Sequence, residues 1–134
     1  MRIFNISIVV MITASLFLAC GGEPIELSDH DWVDTSVTGS SASKEKLSNL
    51  TLEFKDGQEI GGFAGCNDYR GGATYNREQI KFSTLYTENE KCDDINLEER
   101  YLRNLENSAT YTYTGGRLAL FDDSGNILVE MEKK

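Results

Sequence analysis

The sequence has little of the chemistry on which most enzymes and metal proteins depend. It contains one histidine, His30, and three cysteines in 134 residues, and no two cysteines form a Cys-x-x-Cys pair. A zinc site needs clustered Cys or His ligands, and a hydrolase triad needs a base beside its nucleophile. The sequence also has no Gly-x-Ser-x-Gly motif, and no Lys-Ser/Thr follows Gly61-Gly62 or Gly71-Gly72 as in a phosphate-binding loop. We therefore predict no catalytic residues, no metal site and no cofactor.

Positive charge is also scarce. The chain has 13 Lys and Arg residues against 22 Asp and Glu residues, which gives a formal net charge of −9 at pH 7. An acidic protein repels phosphate backbones, so we predict no nucleic-acid partner. The same repulsion leads us to expect the folded part to stand off an anionic membrane surface. The length suits one domain with a core of its own.

The N-terminal apolar run is too short to span a membrane. Arg2 precedes residues 3–18, which are apolar except for four Ser, Thr or Asn residues. Ala19 is the next residue. A positive start, an apolar core and a small residue at the cleavage site are typical of a secretory signal peptide. A transmembrane helix needs about 20 apolar residues. We therefore predict that residues 1–19 are a signal peptide that is removed on export.

Cys20 directly follows this segment and is predicted to carry the lipid of a bacterial lipoprotein. Such signals usually have Leu three residues before the cysteine, where this chain has Phe17. Two alternatives stay open: a secreted protein cleaved near Ala19, and an uncleaved N-terminal anchor. Stable anchoring needs more than one acyl chain, such as palmitate, and each buried methylene contributes about 0.8 kcal/mol. We expect residues 20–28 to be a lipidated tether in the cell envelope, at the outer membrane because Gly21 is not the Asp that retains lipoproteins in the inner membrane of enteric bacteria.

Alternating apolar and polar residues predict strands through most of the remaining chain. An Asp56-Gly57 turn separates the first hairpin, and Gly71-Gly72 is predicted to be a second turn. The predicted strands cover residues 30–33, 50–54, 59–69, 73–75, 79–82, 110–114, 117–121 and 127–131. Residues 38–46 and 84–94 are predicted to be connecting loops.

One amphipathic helix is predicted late in the chain, over residues 97–107. Asn96 followed by Glu99 resembles a capping box, and Leu97, Tyr101 and Leu105 fall on one helical face. The pattern as a whole predicts an α+β fold in residues 29–134. We expect a curved antiparallel sheet of seven to eight strands, forming a partly open barrel, packed on this helix.

An ordered series of residues in 29–134 resembles a known family. The series comprises Trp32, Leu52-Glu53-Phe54, Asp56-Gly57, Gly62-Phe63-Ala64-Gly65-Cys66-Asn67, Gly71, Cys92, Glu99, Leu102, Leu105, Leu118-x-Leu120 and Asp123-x-Gly125. It looks like the META domain, also called HslJ-like, in which the Gly-Cys-Asn segment is the most specific part. The chain departs from the family's usual pattern just before Cys92, where its segment is longer and more charged. The resemblance implies a small α+β domain of the cell envelope, associated with stress or drug-resistance responses, and implies no catalytic mechanism.

Cys66 and Cys92 remain once Cys20 is assigned to lipid. Two cysteines in an oxidising compartment favour a disulfide, which would contribute about 3.5 kcal/mol on the chain-entropy model. Two buried free thiols are the alternative. Asp122-x-Ser124-x-Asn126 has part of a calcium-loop spacing, but it lacks the later Gly and Glu, and a turn between strands explains it better.

Two functional hypotheses follow. The first is a non-catalytic envelope lipoprotein that acts through protein contacts or in stress and drug tolerance, with the membrane and an envelope protein as partners. The alternative is a binder or sensor of a small apolar ligand or lipid, held between sheet and helix in a cavity lined by Leu102 and Leu105. Tyr111 and Tyr113 share one strand face, which is either part of the core or an outward binding surface.

Overall fold

The structure is a computed structural model that describes residues 27–88 and 90–134. The predicted signal peptide, Cys20 and most of the predicted tether lie outside these residues. The strands of the described part are β1 Asp31–Val37, β2 Thr51–Phe54, β3 Glu59–Phe63, β4 Asp68–Tyr75, β5 Ile80–Phe82, β6 Tyr86–Thr87, β7 Thr110–Thr114, β8 Arg117–Phe121 and β9 Ile127–Lys133. The helices are α1 Lys44–Leu47 and α2 Ile95–Glu106, and a 3₁₀ turn at Leu27–Asp29 precedes β1.

The strands form one antiparallel sheet that closes almost completely into a barrel. Their order is β5-β4-β3-β2-β1-β9-β8-β7, and β6 pairs with β4 beside β5. The two end strands meet because the Ile80 amide donates to the Ala109 carbonyl at 3.1 Å and the Tyr111 amide donates to the Glu78 carbonyl at 2.9 Å. The predicted α+β class, a curved antiparallel sheet on one late helix, is confirmed, and the two-residue strand β6 is present in addition to the predicted strands.

Period-two burial explains why the C-terminal strands form. Leu118 and Leu120 of β8 and Val129 of β9 have no accessible surface, while their sequence neighbours face outward or lie half-buried. Burial of each such side chain contributes about 1.5–3 kcal/mol. In β1 the alternation shifts, because the pairing with β9 has an irregularity between Asp34 and Ser36. Such a bulge changes which residues face the core.

Two predictions in the glycine-rich region are wrong. The strand predicted over residues 59–69 ends at Phe63, and the chain turns before β4, with Gly65 at φ +97°, where glycine is favoured. Gly71 and Gly72 form no turn but lie inside β4, opposite Ile60 and Glu59. A Cβ on Gly71 would come within 2.6 Å of the Leu85 side chain, so glycine here permits close approach by the next segment.

Helix α2 begins one residue after Asp94, two residues before its predicted start. Asp94, not Asn96, is its N-cap, and the Asp94 side chain makes no capping hydrogen bond. The predicted capping box is therefore wrong, because the Leu97 and Glu98 amides already bond to the Asp94 carbonyl. The short helix α1 begins inside the predicted loop 38–46, and strand β6 lies inside the predicted loop 84–94, so both loop predictions are wrong in part.

Aromatic side chains fill the barrel at the end where β1 begins. Trp32 has no accessible surface and packs edge-on against His30 at 5.7 Å and Tyr113 at 5.6 Å, measured between ring centroids. Tyr75 contacts both Phe54 and Tyr111 in the same edge-on manner. We call these six residues the aromatic cluster. Tyr111 thus belongs to the core, and Tyr113 lies half-buried at the edge of the core.

Candidate functional site

The Gly-Cys-Asn segment lies in the turn between β3 and β4. A disulfide joins Cys66 to Cys92, with their Cα atoms 5.9 Å apart. The bond links this turn to the residues immediately before α2, across 26 positions of sequence. Cys92 is exposed and Cys66 is half-buried. The segment therefore ties the sheet to the start of the helix.

Asn67 uses its whole side chain in internal hydrogen bonds. Its backbone amide donates to Glu98 Oε2 at 2.7 Å, and its Nδ2 donates to both Glu98 oxygens at 3.1 and 3.0 Å. Nδ2 also donates to the Glu90 carbonyl at 3.0 Å, and Oδ1 accepts from the Glu90 amide at 3.1 Å. A side chain with all its polar atoms engaged has none left for a substrate.

Glu98 is the residue of this site that the sequence pattern missed. The resemblance pointed to Glu99, which is exposed, whereas Glu98 is only 3% exposed. The spacing contained a usable signal, since Glu98 stands three and seven residues before Tyr101 and Leu105, the apolar stripe of the helix. A carboxylate on that stripe must find hydrogen-bond donors inside the fold.

Two further residues of α2 continue the polar row that Glu98 begins. The Tyr101 hydroxyl donates to the Thr51 carbonyl at 3.1 Å, which also accepts from the Tyr69 hydroxyl at 2.7 Å. Asn104 Nδ2 donates to the carbonyls of Thr38 and Leu128, both at 3.0 Å. We call the contacts of Glu98, Tyr101 and Asn104 the helix contact.

Burial sets the protonation of the two tyrosines. Desolvation raises the pKa of Tyr69 above its ordinary range, and it raises the pKa of Tyr101 well above it. The nearby Asp34 carboxyl acts in the same direction on both pKa values. Both hydroxyls therefore keep their protons and act as donors to the sheet rather than as bases.

Asp34 is the unusual side chain of the interior. It is 2% exposed, and neither of its carboxyl oxygens has a hydrogen-bond partner among the described residues. Desolvation by burial raises its pKa well above the ordinary range. Three neighbouring side chains have no accessible surface: Tyr101, Leu50 and Leu52. They therefore leave no opening through which a substrate could reach the Asp34 carboxyl.

The predicted interior cavity is not found where it was expected. Leu105 has no accessible surface, and Leu102 is only half-buried against the core. A cavity large enough for a lipid would leave its lining side chains accessible to a water-sized sphere. An open groove of about 550 Å³ lies instead between the β4–β5 hairpin and the end of α2, lined in part by Tyr75, Ile80 and Ala109.

The Asp122 segment forms a turn, as predicted. Asp122 Oδ1 accepts hydrogen bonds from the amides of Ser124 at 2.9 Å and Asn126 at 2.8 Å. The hydrogen bond from the Asn126 side chain is the largest of the causes that lower the Asp122 pKa.

Within residues 27–88 and 90–134, no group of three or more His, Cys, Asp or Glu side chains is placed to hold a metal. None of the helices in these residues combines the length and the apolar character that a membrane-spanning segment requires.

The comparisons with known proteins agree with this architecture. The sequence model of the META domain matches residues 25–134. No protein of curated function matches the chain.

Three solved structures have a similar fold. The first is an NMR structure of a protein whose sequence is 20% identical to this chain, with a TM-score of 0.61. The matched region covers 80% of this chain and 91% of that protein's chain. An NMR structure of a protein from Burkholderia xenovorans is 22% identical with a TM-score of 0.59, covering 81% and 83%. A crystal structure of a DUF4847 family protein from Bacteroides vulgatus is 8% identical with a TM-score of 0.59, covering 80% and 94%. At these identities the likeness concerns the fold alone.

Proposed function

Because the chain belongs to the META domain family, we propose that it is a lipid-anchored, non-catalytic protein of the bacterial cell envelope that acts through contacts with other proteins. The META domain family is not a known enzyme family. The Gly-Cys-Asn segment, which is the most specific part of the family resemblance, has structural partners inside the domain. Function then depends on the outer surface and on where the protein is held.

One observation carries this proposal: the Gly-Cys-Asn segment is fully engaged in internal bonds. Cys66 is bonded to Cys92, and every polar atom of the Asn67 side chain is hydrogen-bonded to Glu90 or Glu98. A catalytic site needs a polar group that is free to meet a substrate. The Gly-Cys-Asn segment therefore stabilises the fold, and contacts with other proteins would be made by the outer surface of the domain.

The proposed location depends on lipid attachment to Cys20, which mass spectrometry can test. We expect the N-terminal peptide of protein purified from its host to begin at Cys20 and to carry the mass of its acyl chains. The Cys20→Ser variant is the control and should leave the membrane fraction. Recovery of an unmodified Cys20 from the native protein would contradict the anchor.

Protein contacts are tested by photocrosslinking in the intact envelope. Tyr86 and Ile127 are the large hydrophobic side chains that stand exposed among the described residues, at 62% and 42%. A photoreactive phenylalanine analogue at each position should yield a discrete adduct at one of them, and the same analogue at buried Leu118 serves as the negative control. The absence of adducts at both exposed positions would count against a protein partner there.

A small apolar ligand is the second candidate, favoured by the groove beside α2. Its volume of about 550 Å³ lies within the usual range for small-molecule sites, and Tyr75 and Ile80 contribute to its lining. Native mass spectrometry of protein from its host should then show a co-purifying mass. That mass should vanish in Thr74→Trp, which fills the groove from its exposed rim. A single unliganded mass in both proteins would exclude this candidate.

Stress or drug tolerance would be the physiological outcome of either candidate. Growth of a deletion strain under heat or antibiotic exposure tests it, with complementation by wild type and by Cys20→Ser. If the anchor positions the protein, only the wild type should restore growth.

A further inference from the structure

The topology gathers four separate segments at one end of the barrel. Trp32 of β1 pairs with Lys133 of β9, and Arg117 of β8 pairs with Glu132. The Lys134 amide donates to the Asp31 carbonyl at 3.0 Å. We call this end, formed by residues 27–31, 55–58, 115–117 and 133–134, the tether end.

The chain enters the domain at the tether end through a fixed residue. Leu27 has no accessible surface, and its carbonyl accepts from Trp32 Nε1 at 3.2 Å. Only residues 20–26 separate this point from the lipid, and seven residues reach at most about 25 Å when fully extended. A domain of this size is roughly 35 Å across. A lipid on Cys20 would therefore keep the tether end within about 25 Å of the bilayer, while the opposite end could lie roughly a domain's width further away.

The side chains of the tether end suit an interface between water and lipid headgroups. Lys133 Nζ lies over the half-buried Tyr113 ring, 5.6 Å from its centroid, and Lys134 and Arg117 are exposed. Lys and Arg extend charged heads from apolar stems, and Tyr combines an apolar ring with a polar tip. Such groups donate to headgroup phosphates while their apolar parts meet the outer acyl boundary.

The overall negative charge does not oppose this contact as strongly as the composition suggested. The tether end carries acids as well, Asp29, Asp31 and Asp56, so its charge is mixed. Paired acids stand on the segments at the opposite end, in the residues before α2 and in the β8–β9 turn: Asp93, Asp94, Asp122 and Asp123. The acidic part of the surface would face away from the membrane.

We propose that the tether end rests against the headgroups of the bilayer that holds the anchor, and that the short tether enforces this orientation. The opposite end, with the disulfide and the turn between β8 and β9, is then the surface presented to other envelope components. This inference depends on the lipid anchor of the proposed function and adds a defined orientation to it.

Lysine acetylation read by mass spectrometry tests the orientation. The lipidated protein is placed in vesicles of phosphatidylethanolamine and phosphatidylglycerol, beside a variant with twenty Gly and Ser residues inserted after Gly22. We expect Lys133 and Lys134 to react several-fold more slowly in the native protein than in the variant. Lys44 and Lys91, both exposed and away from the tether end, should react at equal rates in the two proteins.

Two outcomes separate this inference from the function on which it rests. Equal rates at Lys133 and Lys134 in both proteins, with both proteins floating with the vesicles, would overturn the orientation and leave the anchor intact. Failure of the native protein to float with vesicles would overturn the anchor itself. Slowing of Lys44 and Lys91 by the same factor as Lys133 would also overturn the orientation.

Discussion

The two parts of the interior are held together in different ways. The aromatic cluster relies on ring packing, with Trp32 fully enclosed by its neighbours. The helix contact relies on hydrogen bonds that reach three separate places on the barrel through Glu98, Tyr101 and Asn104. Packing energy scales with buried area and tolerates a ring of similar shape, whereas a hydrogen bond depends on single atoms.

This difference indicates what each part contributes. The aromatic cluster supplies much of the apolar burial at the end where the chain enters. The helix contact fixes the orientation of α2, because Glu98, Tyr101 and Asn104 each bond to particular groups at different places on the barrel. A substitution in the aromatic cluster should therefore be tolerated when it keeps a ring of similar shape. A substitution in the helix contact should lower the free energy of unfolding even when the size of the side chain is kept.

Removal of the Trp32 ring should give the largest loss. Trp32→Ala leaves a cavity among His30, Tyr113 and the sheet, and we expect a loss of about 3–5 kcal/mol in the free energy of unfolding. Trp32→Phe should cost less than half as much, because it keeps a ring and loses the bond to Leu27. Urea unfolding under oxidising conditions measures both, with Ile127→Ala as the exposed control. Equal losses for Ala and Phe would contradict the packing account.

Loss of the disulfide should come next. The Cys66→Ser, Cys92→Ser double variant opens a link across 26 residues and should lose about 3.5 kcal/mol, mainly because its unfolded chain is freer. Addition of dithiothreitol to the native protein should produce the same change in urea unfolding and none in the double variant. A native protein indifferent to reductant would rule out the bond as a source of stability.

Changes at Glu98 test the directional part of the helix contact. Glu98→Ala leaves the buried Asn67 amide without its acceptor, so we expect a loss of about 2–3 kcal/mol. Glu98→Gln keeps one acceptor oxygen but turns an amide nitrogen toward Asn67 Nδ2, and it should still cost about 1 kcal/mol. Glu99→Ala, at the exposed neighbouring position, is the matched control and should stay within about 0.5 kcal/mol. Similar losses at both positions would refute the assignment.

The last change alters how stability depends on pH. The pKa of Asp34 is raised in the folded protein, whereas in the unfolded chain it is about 3.9. As pH rises, Asp34 therefore loses its proton in the unfolded chain before it does so in the folded protein. Stability from this group is greatest below pH 4 and falls as pH rises toward the folded pKa, by about 1.4 kcal/mol per unit. Asp34→Asn should remove that fall, and urea midpoints from pH 4 to 8 should diverge in the variant's favour. Parallel curves would show that Asp34 does not titrate differently on folding.

The alternating segments were the most predictable part of the structure. β7, β8 and the turns at Asp56-Gly57 and Gly115-Gly116 follow from period two and from glycine at positive φ. The fold class followed from these elements together. The alternation of apolar and polar residues was sufficient to predict a strand wherever one face of that strand is buried and the other meets solvent.

The errors arose where tertiary contacts decided the local structure. Gly71 lies in a strand because it pairs with Ile60, and its lack of a side chain leaves room for Leu85, a contact that no neighbouring residue in sequence reveals. Val37 rather than Ser36 is buried in β1 because the pairing with β9 shifts register between Asp34 and Ser36. Glu98 rather than Glu99 carries the helix contact, and the choice depended on which helix face meets the Asn67 turn.

The pairing of β1 with β9 has a consequence for the timing of folding. Residues near the start of the described chain bond to residues near its last position, with Trp32 opposite Lys133. Contacts so distant in sequence form slowly, since the intervening chain must be ordered first. Synthesis from the N-terminus leaves β1 without one of its two neighbours until the final strand emerges. A chain arranged in this way cannot complete its sheet during translation, and this delay would favour the export across a membrane that we propose.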